Sequence, residues 1–176
     1  MKILIANRGE IAVRIIRACR DLGYASVAIY SDRDREALHT RYADEAVYVG
    51  PTPAAQSYLN IDAVMAAARK TGADAIHPGY GFLSENAQFA ERVEQAGIIF
   101  IGPDPKAISL TGDKLAARRI AADAGVPVLP GCEFRLTDTQ IPESIRREIG
   151  YPVLVKAVSG GGGRGIRLAR SPEELE

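Results

Sequence analysis

Two cysteines in 176 residues are too few for a disulfide framework or a thiolate metal site. Cys19 falls on an apolar helical face and Cys132 follows Gly131 in a loop, so both read as plain thiols. No apolar run approaches the ~18 residues of a membrane span, and the opening MKILIANRGE carries no signal-peptide cleavage site; the expectation is a cytoplasmic protein without a membrane partner. Neither charge is in excess. Lys and Arg number 22, as do Asp and Glu, and no basic block could track a phosphate backbone, which argues against nucleic acid and for small molecules. Two nucleotide signatures are also missing. The loop after the first apolar run has one glycine instead of G-x-G-x-x-G, and the chain's glycine run lacks the Lys-Ser/Thr ending of a Walker A loop.

What is present is a regular alternation of elements. Lys2 to Ala6 reads as a strand, and the next segment carries Ile11, Ile15, Ala18, Cys19 and Leu22 on one helical face, closed by Gly23. Ser26 to Tyr30 and Glu45 to Val49 follow as strands. Asn60 can cap a helix bearing Ile61, Val64, Met65 and Ala68, ended by Gly72, before a strand at Ala75 to His77. Ser84 begins a further helix with Phe89, Ala90 and Val93, and Ile98 to Ile101 is its strand. This is a doubly wound α/β pattern with a parallel sheet. In such sheets ligands gather at the carboxyl ends of strands, which nominates the loops Asn7 to Glu10, Ser31 to Arg35 and Pro78 to Ser84. A dinucleotide-binding module is the rival reading, with Asp32 placed to meet a ribose. Against it, Glu10 at the first helix start would repel a pyrophosphate.

Composition shifts beyond Pro103, and the domain boundary is placed at Thr111 to Asp113. Asp113 caps a helix whose first turn holds Lys114, either a solvated lysine or a cation waiting for a phosphate. Ile141 to Ile149 reads as another short helix. The stretch Tyr151 to Arg170, YPVLVKAVSGGGGRGIRLAR, then joins an apolar strand, Lys156, the run Gly160, Gly161, Gly162 and Gly163, and a second strand. Ordering these glycines costs roughly 2–4 kcal/mol relative to alanine, so an ordered loop implies a function such as a nest of N–H groups around an anion. A flexible linker is the plainer alternative. Glu85 has two readings as well: a favourable charge at a helix start, capped by Ser84, or a functional carboxylate. His77, before a proline at a strand end, reads as structural.

Laid end to end, IANRGEIAVRIIRACR, SYLNIDAV, HPGYGFLSENAQFAE, FIGP, GDKLAAR, AGVPVLPG and YPVLVKAVSGGGGRGIR resemble the N-terminal part of a biotin carboxylase. That is the ATP-grasp component of acetyl-CoA, propionyl-CoA and pyruvate carboxylases. The motifs cover nearly the whole chain in the family's order, with Ile166 standing where the family often has methionine. The resemblance implies a Rossmann-like pre-ATP-grasp domain over 1–111 and the start of an ATP-grasp domain, truncated, over 112–176. Lys114 and Lys156 match the family's ATP-contacting lysines, and Gly162 with Gly163, in the flap Gly160 to Gly163, match its phosphate-contacting glycines. Glu85 matches a carboxylate near the active site, and Arg14 and Arg17 lie on a helix that helps form a homodimer in the family; a plain solvated face is the other reading of that helix.

The implied reaction uses ATP, magnesium and bicarbonate to carboxylate biotin on a carrier protein or domain, which then serves a carboxyltransferase. Ser171-Pro-Glu-Glu is a strong helix start, yet the chain ends at Glu176. The expectation is therefore a segment of a longer ligase, with the magnesium ligands elsewhere and no activity by itself.

Overall fold

In the computed structural model the described residues are 1–112, 114–132, 145, 149–156 and 165–174, the side chains at 114 and 115 excepted. The chain divides into two compact units, Met1–Gly112 and Asp113–Glu176.

The first unit is a five-stranded parallel sheet of order β3-β2-β1-β4-β5. Its strands are β1 (Lys2–Ile5), β2 (Ala25–Ser31), β3 (Glu45–Gly50), β4 (Ala75–His77) and β5 (Ile99–Phe100). Around them lie α1 (Gly9–Asp21), α2 (Leu38–Tyr42), α3 (Ile61–Thr71), α4 (Ala87–Gln95) and α5 (Pro105–Gly112). Because successive strand residues point to opposite faces, β1 feeds two cores. Ile3 and Ile5 join Ala12, Ile15, Ile16 and Cys19 of α1 on one face. Leu4 joins Val64 and Met65 of α3, Phe89 and Val93 of α4, and Ile108 of α5 on the other. With both faces covered, Ile3, Leu4 and Ile5 of β1 and Val27, Ala28 and Ile29 of β2 form unbroken apolar runs, as buried parallel strands usually do.

Local chemistry accounts for most element ends. Gly23 takes φ +71° after α1; its N–H donates to the Arg20 carbonyl and that of Tyr24 to the Cys19 carbonyl, a Schellman closure. Asn60 accepts from the Ala63 N–H at the start of α3, as its sequence position implied.

Four details of the first unit depart from the sequence reading. The stripe of α1 that packs on the sheet is Ala12, Ile15, Ile16 and Cys19, whereas Ala18 is exposed and Leu22 is 67% exposed. α4 begins at Ala87, with Asn86 accepting from the Phe89 N–H; Ser84 is not its cap. α5, absent from the expectations, is announced by Asp104, whose carboxylate accepts from the Ala107 N–H, and by Pro105 in its first turn. α2 was likewise not foreseen.

In the second unit, α6 (Lys114–Asp123) is followed by an antiparallel hairpin of β6 (Val153–Lys156) and β7 (Ile166–Ala169). The hairpin was expected, but not its exposure: Val153 and Val155 are half-buried while Leu154 and Leu168 are 60% and 44% exposed. Two strands alone cannot cover both of their faces. Pro172–Glu174 forms a 3-10 turn where a helix start was expected. Asp113, nearly all of the proposed helix 141–149, and Gly160 to Gly163 lie outside the described residues.

Candidate functional site

β1 and β4 are neighbours in the sheet although α1, β2, α2, β3 and α3 separate them in the chain, and strand order reverses between them, which is where doubly wound sheets open a crevice. Ile5 pairs with His77, so the loops Asn7–Glu10 and Pro78–Ser84 leave the sheet side by side. Between them lies a concavity of about 390 Å³, bounded by Arg8, Gly9, Glu10, Tyr80, Gly81 and Phe82.

Asn7, only 3% exposed, ties the two loops together. Its Nδ2 donates to the carbonyls of Pro78 (2.7 Å) and Tyr80 (2.8 Å), while its Oδ1 accepts from the Arg8 N–H (2.9 Å). This close approach requires glycine at 79: φ there is +68°, and a Cβ would sit 2.8 Å from Asn7 Nδ2. His77 Nδ1 accepts from the Gly79 N–H at 3.0 Å, and burial holds the imidazole below its ordinary pKa, so the ring is a neutral acceptor fixing the turn. That is the structural role expected for it.

The second loop, Ser31–Arg35, contributes Asp34. Burial alone would raise its pKa, but hydrogen bonds from Tyr58, Arg8 and Ser31 outweigh burial and hold the carboxyl below the usual range. The Tyr58 hydroxyl, donating at 2.6 Å, is pushed well above its ordinary pKa by burial and by that carboxylate. Across the cleft the Tyr80 hydroxyl donates to the Glu10 carboxylate. Glu10 occupies the first turn of α1, where a negative charge is favoured by the helix dipole.

The remaining candidate residues are divided between the two units. Glu85 is exposed and precedes the α4 cap, so it lies just outside the helix instead of in its first turn. Arg14 and Arg17 are exposed on α1 and border a separate concavity of about 780 Å³ with Val13, Ala37 and Leu38. Lys114 is the first residue of α6. Lys156 ends β6, exposed and opposite Ile166. Among the described residues no group of three or more His, Cys, Asp or Glu side chains could hold a metal ion, and no helix is long and apolar enough to cross a membrane. The three loops were legible in sequence; the Arg8, Asp34, Tyr58 and Phe82 cluster that joins them was not. Nothing in SYLNIDAV signals that the Tyr58 hydroxyl meets a carboxylate 24 residues earlier.

Residues 1–108 match the family described as biotin carboxylase, N-terminal domain. The chain belongs to that family. Residues 113–176 match the carbamoyl-phosphate synthase L chain, ATP binding domain. The chain is 55% identical to biotin carboxylase 1 of Bacillus subtilis (strain 168) over 99% of its length, and 55% identical to the propionyl-CoA carboxylase alpha chain of Ruegeria pomeroyi over 98%. It spans 39% of the first relative and 25% of the second. The biotin carboxylase domain dimer of Hydrogenobacter thermophilus 2-oxoglutarate carboxylase, in complex with MgADP, ADP and bicarbonate, superposes with a TM-score of 0.91 at 52% identity. The Campylobacter jejuni biotin carboxylase complex with βγ-ATP gives 0.93 at 46%. Both alignments cover 99% of this chain, and 38% and 39% of those chains respectively.

Proposed function

We propose that this chain forms the amino-terminal part of a biotin carboxylase, a ligase that uses ATP and bicarbonate to carboxylate biotin on a carrier protein or domain for a carboxyltransferase. The observation that carries the reading is the order of the two family matches, a biotin carboxylase N-terminal domain followed by an ATP-binding domain. Residues 1–111 would be the pre-ATP-grasp domain and 112–176 the start of the ATP-grasp domain. In the reaction a bicarbonate oxygen attacks the γ-phosphorus of ATP and ADP leaves; the carboxyl group then passes to a ureido nitrogen of biotin with loss of phosphate and a proton. Lys114, Lys156 and the amides of Gly160 to Gly163 would offset charge on the phosphates, Glu85 would stand near the reacting groups, and Arg14 with Arg17 would face a second copy of the chain. Neutralising charge where it develops is the main catalytic demand of such a step. Magnesium would be the accompanying ion; among the described residues no group of three or more His, Cys, Asp or Glu side chains is placed to hold it.

The test is a chimera. Bacillus subtilis biotin carboxylase 1, with its matching segment replaced by this chain, should release phosphate from MgATP in a bicarbonate- and biotin-dependent manner, whereas the 176-residue chain alone should show no turnover. In the chimera Lys156→Gln should weaken ATP by about 10- to 150-fold, the loss of one charge-assisted contact of ~1.5–3 kcal/mol. A folded chimera without biotin-dependent phosphate release refutes the reading, and unchanged ATP affinity removes Lys156 from the site.

A further inference from the structure

Within five residues the loop after β4 holds three positive φ angles: Gly79 at +68°, Gly81 at +65° and Phe82 at +44°. Glycine adopts this conformation freely, but for a side-chain-bearing residue it costs ~1–2 kcal/mol and persists only where the surroundings dictate it. For Phe82 the surroundings are specific. Its ring stacks on that of Tyr58, with centroids 5.3 Å apart and an interplanar angle of 23°. The Arg8 guanidinium lies 5.4 Å from the Tyr58 centroid and 5.8 Å from that of Phe82. Arg8 is itself anchored, its Nη1 lying 3.1 Å from Asp34 Oδ2, and the same oxygen accepts from the Tyr58 hydroxyl at 2.6 Å and the Ser31 hydroxyl at 3.1 Å.

Tyr58 belongs to the apolar core that packs β1, β2 and β4, with Phe82 against its edge, but apolar packing asks only for the two rings and not for the charges of Arg8 and Asp34 beside them. Tyr58 is wholly buried, the Asp34 side chain 16% exposed and the Arg8 side chain 42% exposed, so a largely buried carboxylate and its cation stand beside the loop that holds the one non-glycine positive φ among the described residues. Beyond Phe82 that loop runs on to Glu85, and just before it stands Tyr80, 60% exposed at the mouth of the crevice.

We propose that Arg8, Asp34 and Tyr58 are positioning residues: together they clamp the Phe82 ring and so hold the loop from Pro78 to Asn86 in the course that presents Tyr80 and Glu85 for reaction. The clamp rests on the geometry alone, and its catalytic consequence rests on the ligase reading above. Arginine suits position 8 because one planar guanidinium lies near both rings while its Nη1 donates to the Asp34 carboxylate, whereas the compact ammonium of lysine has no flat face to set against the rings.

Hydrogen–deuterium exchange on the 176-residue chain tests the clamp with Arg8→Lys, which keeps the charge, and with Phe82→Gly, which removes both ring and strain. Both should accelerate exchange of amides 79–86 about tenfold or more while those of β1, β2 and β4 keep their protection. In the chimera, Arg8→Lys should lower kcat for biotin-dependent phosphate release about tenfold with KM for ATP within twofold, since a loop displaced by an ångström misaligns reacting groups without touching the nucleotide. Loop exchange that is unchanged, or that accelerates evenly across 1–112, overturns the clamp. Loop-specific acceleration with kcat unaltered overturns its positioning role. Failure of the ligase reading looks different: the unsubstituted chimera has no biotin-dependent turnover, yet loop exchange still answers to Arg8→Lys.

Discussion

Replacing Asn7 by alanine should be among the most damaging single changes in the first unit, and its size can be worked from the hydrogen bonds. The substitution strips the donor from two backbone carbonyls, Pro78 in a buried contact at 2.7 Å and Tyr80 in a part-buried one at 2.8 Å. A buried acceptor left without a partner costs ~1–3 kcal/mol, and a partly wetted one sits at the low end of that range. The Arg8 N–H also loses its acceptor, but it lies at the open end of α1, where water can replace the side chain. The sum is ~2–4 kcal/mol, a large share of the ~5–15 kcal/mol that holds a typical domain folded. Urea denaturation followed by far-ultraviolet circular dichroism should show the midpoint fall at constant slope, which marks a change of stability and not of unfolded-state compactness. Asn7→Asp sharpens the test: the change keeps an acceptor for Arg8 but turns an oxygen toward the two carbonyls, so the loss should equal or exceed that of alanine. A cost below ~1 kcal/mol for Asn7→Ala, or tolerance of aspartate, would refute the view that this side chain binds the two loops together.

Gly50 ends β3 at φ +140°, and a Cβ there would lie 2.1 Å from the Gln56 carbonyl oxygen, a backbone atom that cannot swing away. Gly50→Ala should therefore cost ~2–5 kcal/mol in the same denaturation assay, and a loss under ~1 kcal/mol would contradict the strain argument. Burial holds both His39 and His77 below the ordinary histidine pKa, so in acid the unfolded chain takes up protons that the native state refuses. Stability should be level above about pH 6.5 and fall as pH drops below it, by at most ~1.4 kcal/mol per pH unit for each histidine; a flat profile between pH 7 and 5.5 would contradict the depressed values. Of the two thiols, Cys132 is exposed while Cys19 is buried, its pKa raised by burial and by nearby Asp44. A thiol-disulfide reagent should modify one cysteine rapidly in the native protein and the second only on unfolding; two fast thiols would mean that the α1 core is open.

The features read correctly from sequence are those set by local chemistry. Gly23 and Asn60 act through bonds to residues within five positions, so their roles are visible in a short window. That Asn86 and not Ser84 caps α4 was not, because both side chains can accept a backbone N–H and Ser84 falls within the turn that precedes Asn86. The face of α1 was misjudged for a related reason. Ala18 and Leu22 fit an apolar period as well as Ala12 and Ile16 do, and only the sheet determines which stripe is covered. The clamp was least legible of all: Arg8 and Asp34 are 26 residues apart and joined by one carboxylate oxygen, so each loop could be named while their connection could not.

The sheet order alone would serve a dinucleotide-binding domain equally well, since strands ordered 3-2-1-4-5 with a crevice beside the first are common to both. The residues at that crevice separate the two readings. A pyrophosphate needs the first turn of α1 free of negative charge and a backbone that several glycines allow it to approach closely. Here the first turn carries Glu10, already hydrogen-bonded by the Tyr80 hydroxyl, and the loop has Gly9 as its one glycine. The Asn7 amide, which might otherwise turn toward a phosphate, is directed at two carbonyls of the opposite loop. Asp32, placed in sequence where an acid would meet a ribose, faces Arg35 at 3.8 Å and is half exposed. Each group that a dinucleotide would require is thus either of the wrong charge or engaged by a neighbour, and the anion-binding candidates, Lys114, Lys156 and Gly160 to Gly163, all lie in the second unit, the part that matches an ATP-binding domain.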